Sequence, residues 1–293
     1  YSSLKSRVDG GGSDEGVTED MRVLLVHPPR GYWPYVSEGD NYLVQQALPA
    51  LAAVAREQGH DVRAIDCLPI KMGWRTLHDE IKAFKPHVVG CGENHALYTN
   101  EALKFFEMVR SAAPEAKTIA GGGHFSNMSH RYANRSDIDA IILTTPHALH
   151  EEQVKLSAHA GKHVFCEKPL ALTRVSAEQM VETCHNANVI LGIGHERRFE
   201  PAMLAVKDLV DNGDLGTILH VEAAFSHNKL ARLAADDWRA SPEHGPAVAF
   251  TGMGVHLTDS WIQMFGIPDS VFAQRAQRVT RIPTGDVVCV QAR

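Results

Sequence analysis

The sequence has little cysteine and no long apolar run. Its five cysteines, Cys67, Cys91, Cys166, Cys184 and Cys289, are odd in number and widely spaced, a pattern typical of reduced thiols rather than of a disulfide framework. No CxxC pair or HExxH helix appears despite 17 histidines, so a structural zinc site is not expected. No apolar run approaches the roughly 18 residues that cross a bilayer, and no signal peptide opens the chain. These absences predict a cytoplasmic protein with no metal and no membrane partner.

The chain also lacks an excess of basic residues. Its formal net charge is -6, which argues for solubility and against nucleic acid as the main partner. An apolar fraction of 44% with 22% charged residues is ordinary for a globular protein. At 293 residues the chain has room for two domains.

Apolar runs and amphipathic stretches alternate along most of the sequence. Residues 1–20 carry Gly10-Gly11-Gly12-Ser13 without periodic apolar residues, and we interpret them as a disordered tail. From Met21 onward, short apolar strands alternate with helices, which predicts βαβ units and a parallel sheet. We therefore predict an α/β fold, a doubly wound parallel sheet of the Rossmann or flavodoxin kind, followed by a truncated α+β domain with an antiparallel sheet. The antiparallel strands are expected at Thr217–Phe225, where apolar and polar residues alternate, at Ser270–Gln277 and at Val287–Gln291.

The first part of this pattern resembles the cobalamin-binding domain that precedes many radical S-adenosylmethionine enzymes. The resemblance covers roughly Met21 to Met128 and rests on Pro28-Pro29 after the first strand, on the segment Arg56–Val62, on Lys85–Gly90 and on Gly121-Gly122-Gly123-His124. It implies that a corrin ring lies over the strand ends and that four glycines line the site: Gly90, Gly92, Gly121 and Gly122. The Asp-x-His-x-x-Gly signature that supplies a histidine to cobalt is absent, as is the cluster-binding Cys-x-x-x-Cys-x-x-Cys.

The segment Gly161–Pro169 brings an acid, a base and a proline to the end of one apolar strand. In an open α/β sheet, ligands bind at the carboxyl ends of the strands, so Glu167 and Lys168 are expected in the crevice. Pro169 fixes its own φ and restricts Lys168. The sequence therefore predicts an amine held in a cleft by a stiff backbone.

Two other patterns suggest sites of a different kind. His147, His150 and Glu151 have spacings that share a helical face, which allows a metal to be imagined, but a helix start whose acids complement the dipole explains them better. Gly192-x-Gly194-x-x-Arg197 suggests a dinucleotide fingerprint. It lacks the third glycine and a following long helix, so we reject it.

From about Ser136 to the C-terminus the chain resembles the Gfo/Idh/MocA family of NAD(P)-dependent sugar and cyclitol dehydrogenases. The motifs are Thr145-Pro146-x-x-x-His150, Glu167-Lys168-Pro169, Gly194-His195 with Arg197-Arg198-Phe199, Gly213-x-Leu215-Gly216, and Gly254-x-His256-x-x-Asp259. The resemblance implies catalytic roles for Lys168 and His256. It also implies a cofactor site formed by Thr145, Pro146, His150, Glu167, Lys168, Pro169 and Arg197. An aspartate usually stands four residues before the histidine, where this chain has Gly252.

The family's opening Gly-x-Gly-x-x-Gly loop, which holds the pyrophosphate, has no counterpart between Met21 and Arg135. We therefore expect NAD or NADP to bind weakly or not at all, and we treat Asp66 after the second strand as a coincidence. The two resemblances together predict a fusion: residues 21–134 as a cobalamin-binding-like half sheet, 135–198 as the second half, and 199–293 as a truncated substrate and dimerisation domain. The predicted partners are a small sugar or cyclitol and a second copy of the chain. The alternatives are a cobalamin-binding module and a folded fusion without catalytic activity.

Overall fold

The computed structural model describes residues 20–30, 46–234, 236–247 and 250–293. Most of the tail predicted at residues 1–20 lies outside these ranges. Within them, no helix is long and apolar enough to cross a membrane.

Seven short strands form one sheet in the order β2-β1-β3-β4-β5-β6-β7. They are β1 (Arg22–His27), β2 (Asp61–Asp66), β3 (Val88–Gly92), β4 (Lys117–Gly121), β5 (Ala140–Leu143), β6 (His163–Cys166) and β7 (Leu191–Ile193). Strand β1 pairs in parallel with β2 and β3, and β6 pairs in parallel with β5 and β7. The order reverses at β1, as it does in doubly wound folds, so the predicted fold class is confirmed.

Helices follow most of the strands. They are α1 (Ala47–Glu57), α2 (Trp74–Phe84), α3 (Thr99–Ala112), α4 (Gly123–Asn127), α5 (Ser129–Tyr132), α6 (His150–His159), α7 (Arg174–Asn186), α8 (Pro201–Asp211) and α9 (Val255–Phe265). Local chemistry explains several boundaries. Thr173 caps α7 by accepting a hydrogen bond from the Ser176 amide, Pro201 occupies the first turn of α8, and α9 ends at Gly266 with φ 84°.

The chain divides into two compact units. The first comprises residues 1–92 and 97–119. Its apolar strand residues and the inner faces of its helices are inaccessible to water, as shown by Val26, Leu77, Ile81, Phe105 and Phe106, all at 0% exposure. Burial of each such side chain contributes about 1.5–3 kcal/mol, which explains why the continuous apolar runs of β1 and β3 lie inside a parallel sheet.

The second unit comprises residues 93–96 and 120–293. Its core lies between β5, β6 and the helices α6 and α7, where Leu143, Val154, Ala158, Cys166 and Met180 are all at 0% exposure. Burial raises the pKa of the Cys166 thiol to about 12, so this cysteine behaves as a small apolar side chain. The rigid core fixes the ends of β5 and β6.

The antiparallel part is smaller than predicted. Strands β8 (Val271–Ala276) and β9 (Val287–Ala292) pair in antiparallel register, which confirms two of the three predicted strands. The prediction of a strand at Thr217–Phe225 is wrong, because this segment has no regular structure and its residues are exposed, Leu219 at 92%. An alternating pattern forms a strand when a neighbour pairs with its backbone, and no described segment does so here.

Candidate functional site

In the second unit, the carboxyl ends of three parallel strands lie at one edge of the sheet. Leu143 of β5 is in register with Cys166 of β6, which is in register with Ile193 of β7. The segments that follow these strands therefore emerge side by side. They begin with Thr144, Glu167 and Gly194, and this edge is where the sequence places a ligand.

Lys168 is the cation that β6 delivers to this edge. Its amine donates a hydrogen bond to the Gly252 carbonyl oxygen at 3.1 Å, and its backbone amide donates to Glu167 Oε2 at 3.1 Å. The peptide bond to Pro169 is cis. No carboxylate of the described residues forms an ion pair with the amine, which is half-buried. The amine therefore lies in the fold, directed at the segment that precedes α9, and not in bulk water.

A glycine makes room for the Glu167 carboxylate. A β-carbon at Gly194 would lie 3.2 Å from the Glu167 carboxyl group, a separation tighter than ordinary contacts. The apparent Gly192-x-Gly194 fingerprint thus serves packing between adjacent strand ends, which agrees with its rejection as a dinucleotide motif.

His256 lies on the first turn of α9 with its side chain 3% exposed. Its Nδ1 has no hydrogen-bond partner among the described residues and lies 3.7 Å from Glu196 Oε2. The pKa of His256 is lowered, first by burial and then by the charge of Lys168, while Glu196 opposes this shift. At neutral pH the ring is therefore uncharged and able to accept a proton.

A bidentate ion pair joins the turn after β7 to α9. Arg198 Nε and Nη2 donate to the two carboxylate oxygens of Asp259 at 2.6 and 2.5 Å. His195 Nδ1 lies 3.7 Å from Asp259, and burial is the main cause of its lowered pKa. The pair holds the segment that carries His195 and Glu196 against the helix that carries His256.

His147 contacts a loop that is distant in sequence. Its Nδ1 donates to the His244 carbonyl oxygen at 2.8 Å, and its ring meets the edge of Trp238 with centroids 5.0 Å apart. The Ala148 amide donates to His244 Nδ1 at 3.3 Å. Burial lowers the pKa of His147 to about 4, with Lys168 among the minor contributors. The loop of residues 236–247 therefore borders the same strand-end region as Lys168.

Beneath these groups lies His150, which is at 0% exposure. Its Nδ1 and Nε2 lie 2.9 Å from the carbonyl oxygens of Pro169 and Thr145. The Thr145 hydroxyl donates to Gln153 at 2.6 Å. His150 thus bridges the turns after β5 and β6 from below and is enclosed by protein, which differs from the cofactor contact that the family resemblance implies.

The remaining predicted residues of this unit lie at its surface. Pro146 begins the turn after β5 and is half-buried. Arg197 forms an ion pair with Glu200 at 3.2 Å, and its guanidinium lies 5.3 Å from the centre of the Phe225 ring. The structure therefore brings Thr145, Lys168, Arg197 and His256 to one end of the second unit.

The glycines predicted to line a corrin site are accounted for by protein contacts. Gly122 has φ 89°, and a β-carbon there would lie 2.6 Å from the Glu93 carbonyl oxygen. A β-carbon at Gly121 would lie 3.4 Å from Ile142, and one at Gly90 would lie 2.9 Å from Leu25. Gly92 is exposed at the end of β3. Close approach of the chain to itself explains the three tight positions without a ligand.

In the first unit, two of the first residues after β1 have no backbone donor. Pro28 and Pro29 have no amide hydrogen and are buried. His27 Nδ1 contacts Asp66 at 2.9 Å, and Arg30 contacts His27 Nε2 at 2.6 Å. A dinucleotide pyrophosphate is held by glycine amides at this position in Rossmann folds. The described residues of this turn do not provide that cradle.

No group of three or more candidate metal ligands occurs among residues 20–30, 46–234, 236–247 and 250–293.

Several contacts of the site could not be found from the sequence. Glu196 and the Gly252 carbonyl have no motif signal, and His147 and His244 are 97 positions apart. The Arg198–Asp259 pair joins two motifs that the sequence displays separately.

Comparison with known families explains the motifs around Lys168. Residues 84–195 match the model of the oxidoreductase family with an NAD-binding Rossmann fold, and residues 203–293 match the GFO/IDH/MocA C-terminal domain. The chain therefore contains segments that match the models of both domains of the Gfo/Idh/MocA family. The match begins 52 positions before Ser136 (136 − 84), the start of the resemblance in the sequence, and it includes all four glycines predicted for cobalamin. The comparisons support neither a cobalamin-binding domain nor a fusion, and they do not support impaired activity.

Curated relatives include sugar and cyclitol oxidoreductases. The chain is 31% identical over 206 residues to scyllo-inositol 2-dehydrogenase (NADP(+)) IolW of Bacillus subtilis, covering 68% of this chain and 57% of the relative. It is 34% identical over 151 residues to D-xylose 1-dehydrogenase [NADP(+)] of Haloarcula marismortui, covering 51% and 42%. The chain thus spans about half the length of these two relatives.

Solved structures share the fold. One is the WlbA dehydrogenase from Bordetella pertussis in complex with NADH and UDP-GlcNAcA, with a TM-score of 0.54, 21% identity, and coverage of 94% of this chain and 63% of that one. Another is an NAD binding oxidoreductase from Klebsiella pneumoniae, with a TM-score of 0.57, 18% identity, and coverage of 93% and 63%. At these identities the likeness establishes the fold alone.

Proposed function

We propose that this chain is an NAD(P)-dependent oxidoreductase that acts on a hydroxyl group of a sugar or cyclitol. The observation that carries the proposal is the hydrogen bond from the Lys168 amine to Gly252. This bond holds the amine beside Gly252, which precedes the buried His256 by four residues (256 − 252), at the end of the sheet where α/β folds bind ligands. The relatives that act on scyllo-inositol and D-xylose support this substrate class.

Lys168 and His256 supply the proton chemistry of this reaction. The ammonium group donates a hydrogen bond to the substrate hydroxyl oxygen and polarises it. Burial and Lys168 disfavour the charged form of His256, which keeps the ring free of a proton at neutral pH before substrate binds. The ring then takes up the hydroxyl proton as a general base. A bound nicotinamide would supply the hydride acceptor for the carbon that carries the hydroxyl. The ammonium group has three N–H donors, and the bond to the Gly252 carbonyl oxygen uses one of them, so another can reach the substrate oxygen.

We further propose that the affinity for NAD(P) is low. The turn after β1 presents Pro28 and Pro29 where a pyrophosphate needs amide hydrogens. His27 and Arg30 are engaged with each other and with Asp66 and Tyr98. Calorimetric titration of the purified chain with NAD⁺ and NADP⁺ should give dissociation constants weaker than about 1 μM. A tighter constant for either dinucleotide would show that this turn is not decisive.

The catalytic proposal is tested by NAD(P)⁺ reduction at 340 nm with scyllo-inositol and D-xylose. Lys168→Ala should lower kcat by about 100-fold or more, in the range of general acid–base contributions. Lys207→Ala is the matched control, since Lys207 pairs with Asp211 one turn later on α8, and it should retain full activity. Circular dichroism should show both variants folded. Equal turnover in Lys168→Ala and the wild type would remove Lys168 from the mechanism.

A further inference from the structure

The buried His256 ring has one nitrogen without a hydrogen-bond partner. None of the described residues bonds to its Nδ1, although buried polar atoms of this kind normally have a partner. The charged and titratable groups that act on the ring are Lys168 after β6, and His195, Glu196 and Arg197 after β7. Glu196 is the one carboxylate of this set.

The helix that carries His256 does not supply the acid. The family resemblance places an aspartate four residues before the histidine, and this chain has Gly252 there. A β-carbon at Gly252 would meet nothing within 4 Å, so the space that such a side chain would occupy is open. Asp259 is on the same helix, but its two oxygens accept both hydrogen bonds of Arg198.

We propose that Glu196 takes the place of the missing aspartate as the positioning residue of His256. Its Oε2 lies 3.7 Å from Nδ1, so a small rotation brings it within hydrogen-bonding distance. Hydrogen bonds of catalytic groups are often long before substrate binds and shorten in the complex. With Nδ1–H bound to Glu196, the ring's Nε2 is left as the proton acceptor, and the tautomer is fixed.

The fold is suited to this movement. Glu196 is 60% exposed at its side chain, so its rotation disturbs no packing. Its backbone is held, because Arg198 two residues later is anchored to Asp259 at 2.6 and 2.5 Å. The Glu196 carboxylate can therefore rotate while its backbone stays fixed relative to α9, the helix that carries His256. The catalytic part of this inference rests on the proposed dehydrogenase function, whereas the pairing itself does not.

The pairing is tested by nuclear magnetic resonance titration of the His256 imidazole, assigned by its loss in His256→Asn. Glu196→Gln removes a carboxylate that favours the charged ring, so the pKa of His256 should fall further. The control is Glu200→Gln, since Glu200 lies on the same turn but pairs with Arg197. It should leave the titration of His256 close to that of the wild type. An unchanged pKa in Glu196→Gln would overturn the proposal.

The positioning role is tested by the pH profile of kcat/KM. In Glu196→Gln the rise of kcat/KM with pH should move to lower pH, because His256 loses its proton earlier. The plateau of kcat should fall about tenfold with KM within about twofold, because the ring is a weaker and less oriented base. Glu196→Asp should recover part of the loss.

A lowered pKa with unchanged kcat would overturn the positioning role. A lowered pKa in a protein without wild-type turnover would support the pairing and reject the dehydrogenase proposal.

Discussion

The guanidinium of Arg198 and the carboxylate of Asp259 form two parallel hydrogen bonds, at 2.6 and 2.5 Å, between residues 61 positions apart. Asp259 is 10% exposed and Arg198 is 37% exposed. The pKa of Arg198 is raised by these bonds. This contact therefore fixes the turn after β7 on the helix that carries His256, and several properties of the site depend on it.

Replacement of Arg198 by alanine should destabilise the fold. It leaves the shielded Asp259 carboxylate unpaired, which we expect to cost about 1–2 kcal/mol, less than for a fully buried pair because the guanidinium is partly solvated. Arg174→Ala is the control, since Arg174, whose side chain is 70% exposed, forms an ion pair with Glu178 on α7, and it should cost less than about 0.5 kcal/mol. Urea unfolding measures both. Equal losses in the free energy of unfolding would show that the Arg198–Asp259 pair stabilises the fold no more than an exposed ion pair does.

His150→Ala should be among the more destabilising substitutions in the second unit. It removes a ring at 0% exposure that lies 2.9 Å from the Thr145 and Pro169 carbonyl oxygens, one of which accepts the N–H of a neutral imidazole. Cavity formation and the loss of this donor predict a loss of about 2–4 kcal/mol in the free energy of unfolding. His159→Ala, on the exposed side of the same helix, should change it by less than about 0.5 kcal/mol. Similar effects of the two substitutions would contradict the bridging role of His150.

Comparison of Gly122→Ala with Gly161→Ala should separate the cost of steric overlap from the cost of backbone strain. Gly122 has φ 89°, and its β-carbon would lie 2.6 Å from a backbone oxygen that has little freedom to move. Strain and overlap together should cost about 2–4 kcal/mol. Gly161 has φ 73° with nothing within 4 Å of its β-carbon, so Gly161→Ala should cost about 1 kcal/mol from strain alone. Thermal and urea unfolding of both variants measure the difference, and equal costs would contradict a tight approach at Glu93.

The sequence predicts the sheet well because parallel strands buried on both faces leave a strong signal. The strands Arg22–His27 and Val88–Gly92 contain continuous apolar runs without alternation, and the Glu167–Pro169 corner follows the apolar run Val164-Phe165-Cys166. By contrast, the alternation in Thr217–Phe225 predicts a strand that the structure lacks. Alternation of apolar and polar residues indicates that one face of a strand would be buried and the other exposed. It carries no information on whether a partner strand is present.

The site is predicted in part for a similar reason. Lys168 and His256 belong to motifs that a family resemblance identifies, so the sequence alone points to them as candidates. It does not point to the Gly252 carbonyl, because every residue has a carbonyl and only the fold selects which one meets the Lys168 amine. The family resemblance implies a cofactor contact for His150, because a motif records which residues recur and not whether a side chain faces a ligand or the core. The glycines assigned to cobalamin show the same limit, because contact with a ligand and contact with protein both require a small residue.

Acid should destabilise the fold through His147. Burial lowers its pKa from 6.5 to about 4, opposed by the bond to the His244 carbonyl and assisted by the charges of His150, Lys168 and His244. An unfolded chain binds this proton more readily than the folded one. The stabilising contribution is therefore complete above pH 6.5 and is lost as the pH falls towards about 4. Urea unfolding of the wild type and of His147→Gln should show free energies that differ less at pH 4.5 than at pH 7, while the difference for the exposed His159→Gln stays constant. Parallel pH profiles for the wild type and His147→Gln would show that His147 does not hold its neutral form in the folded state.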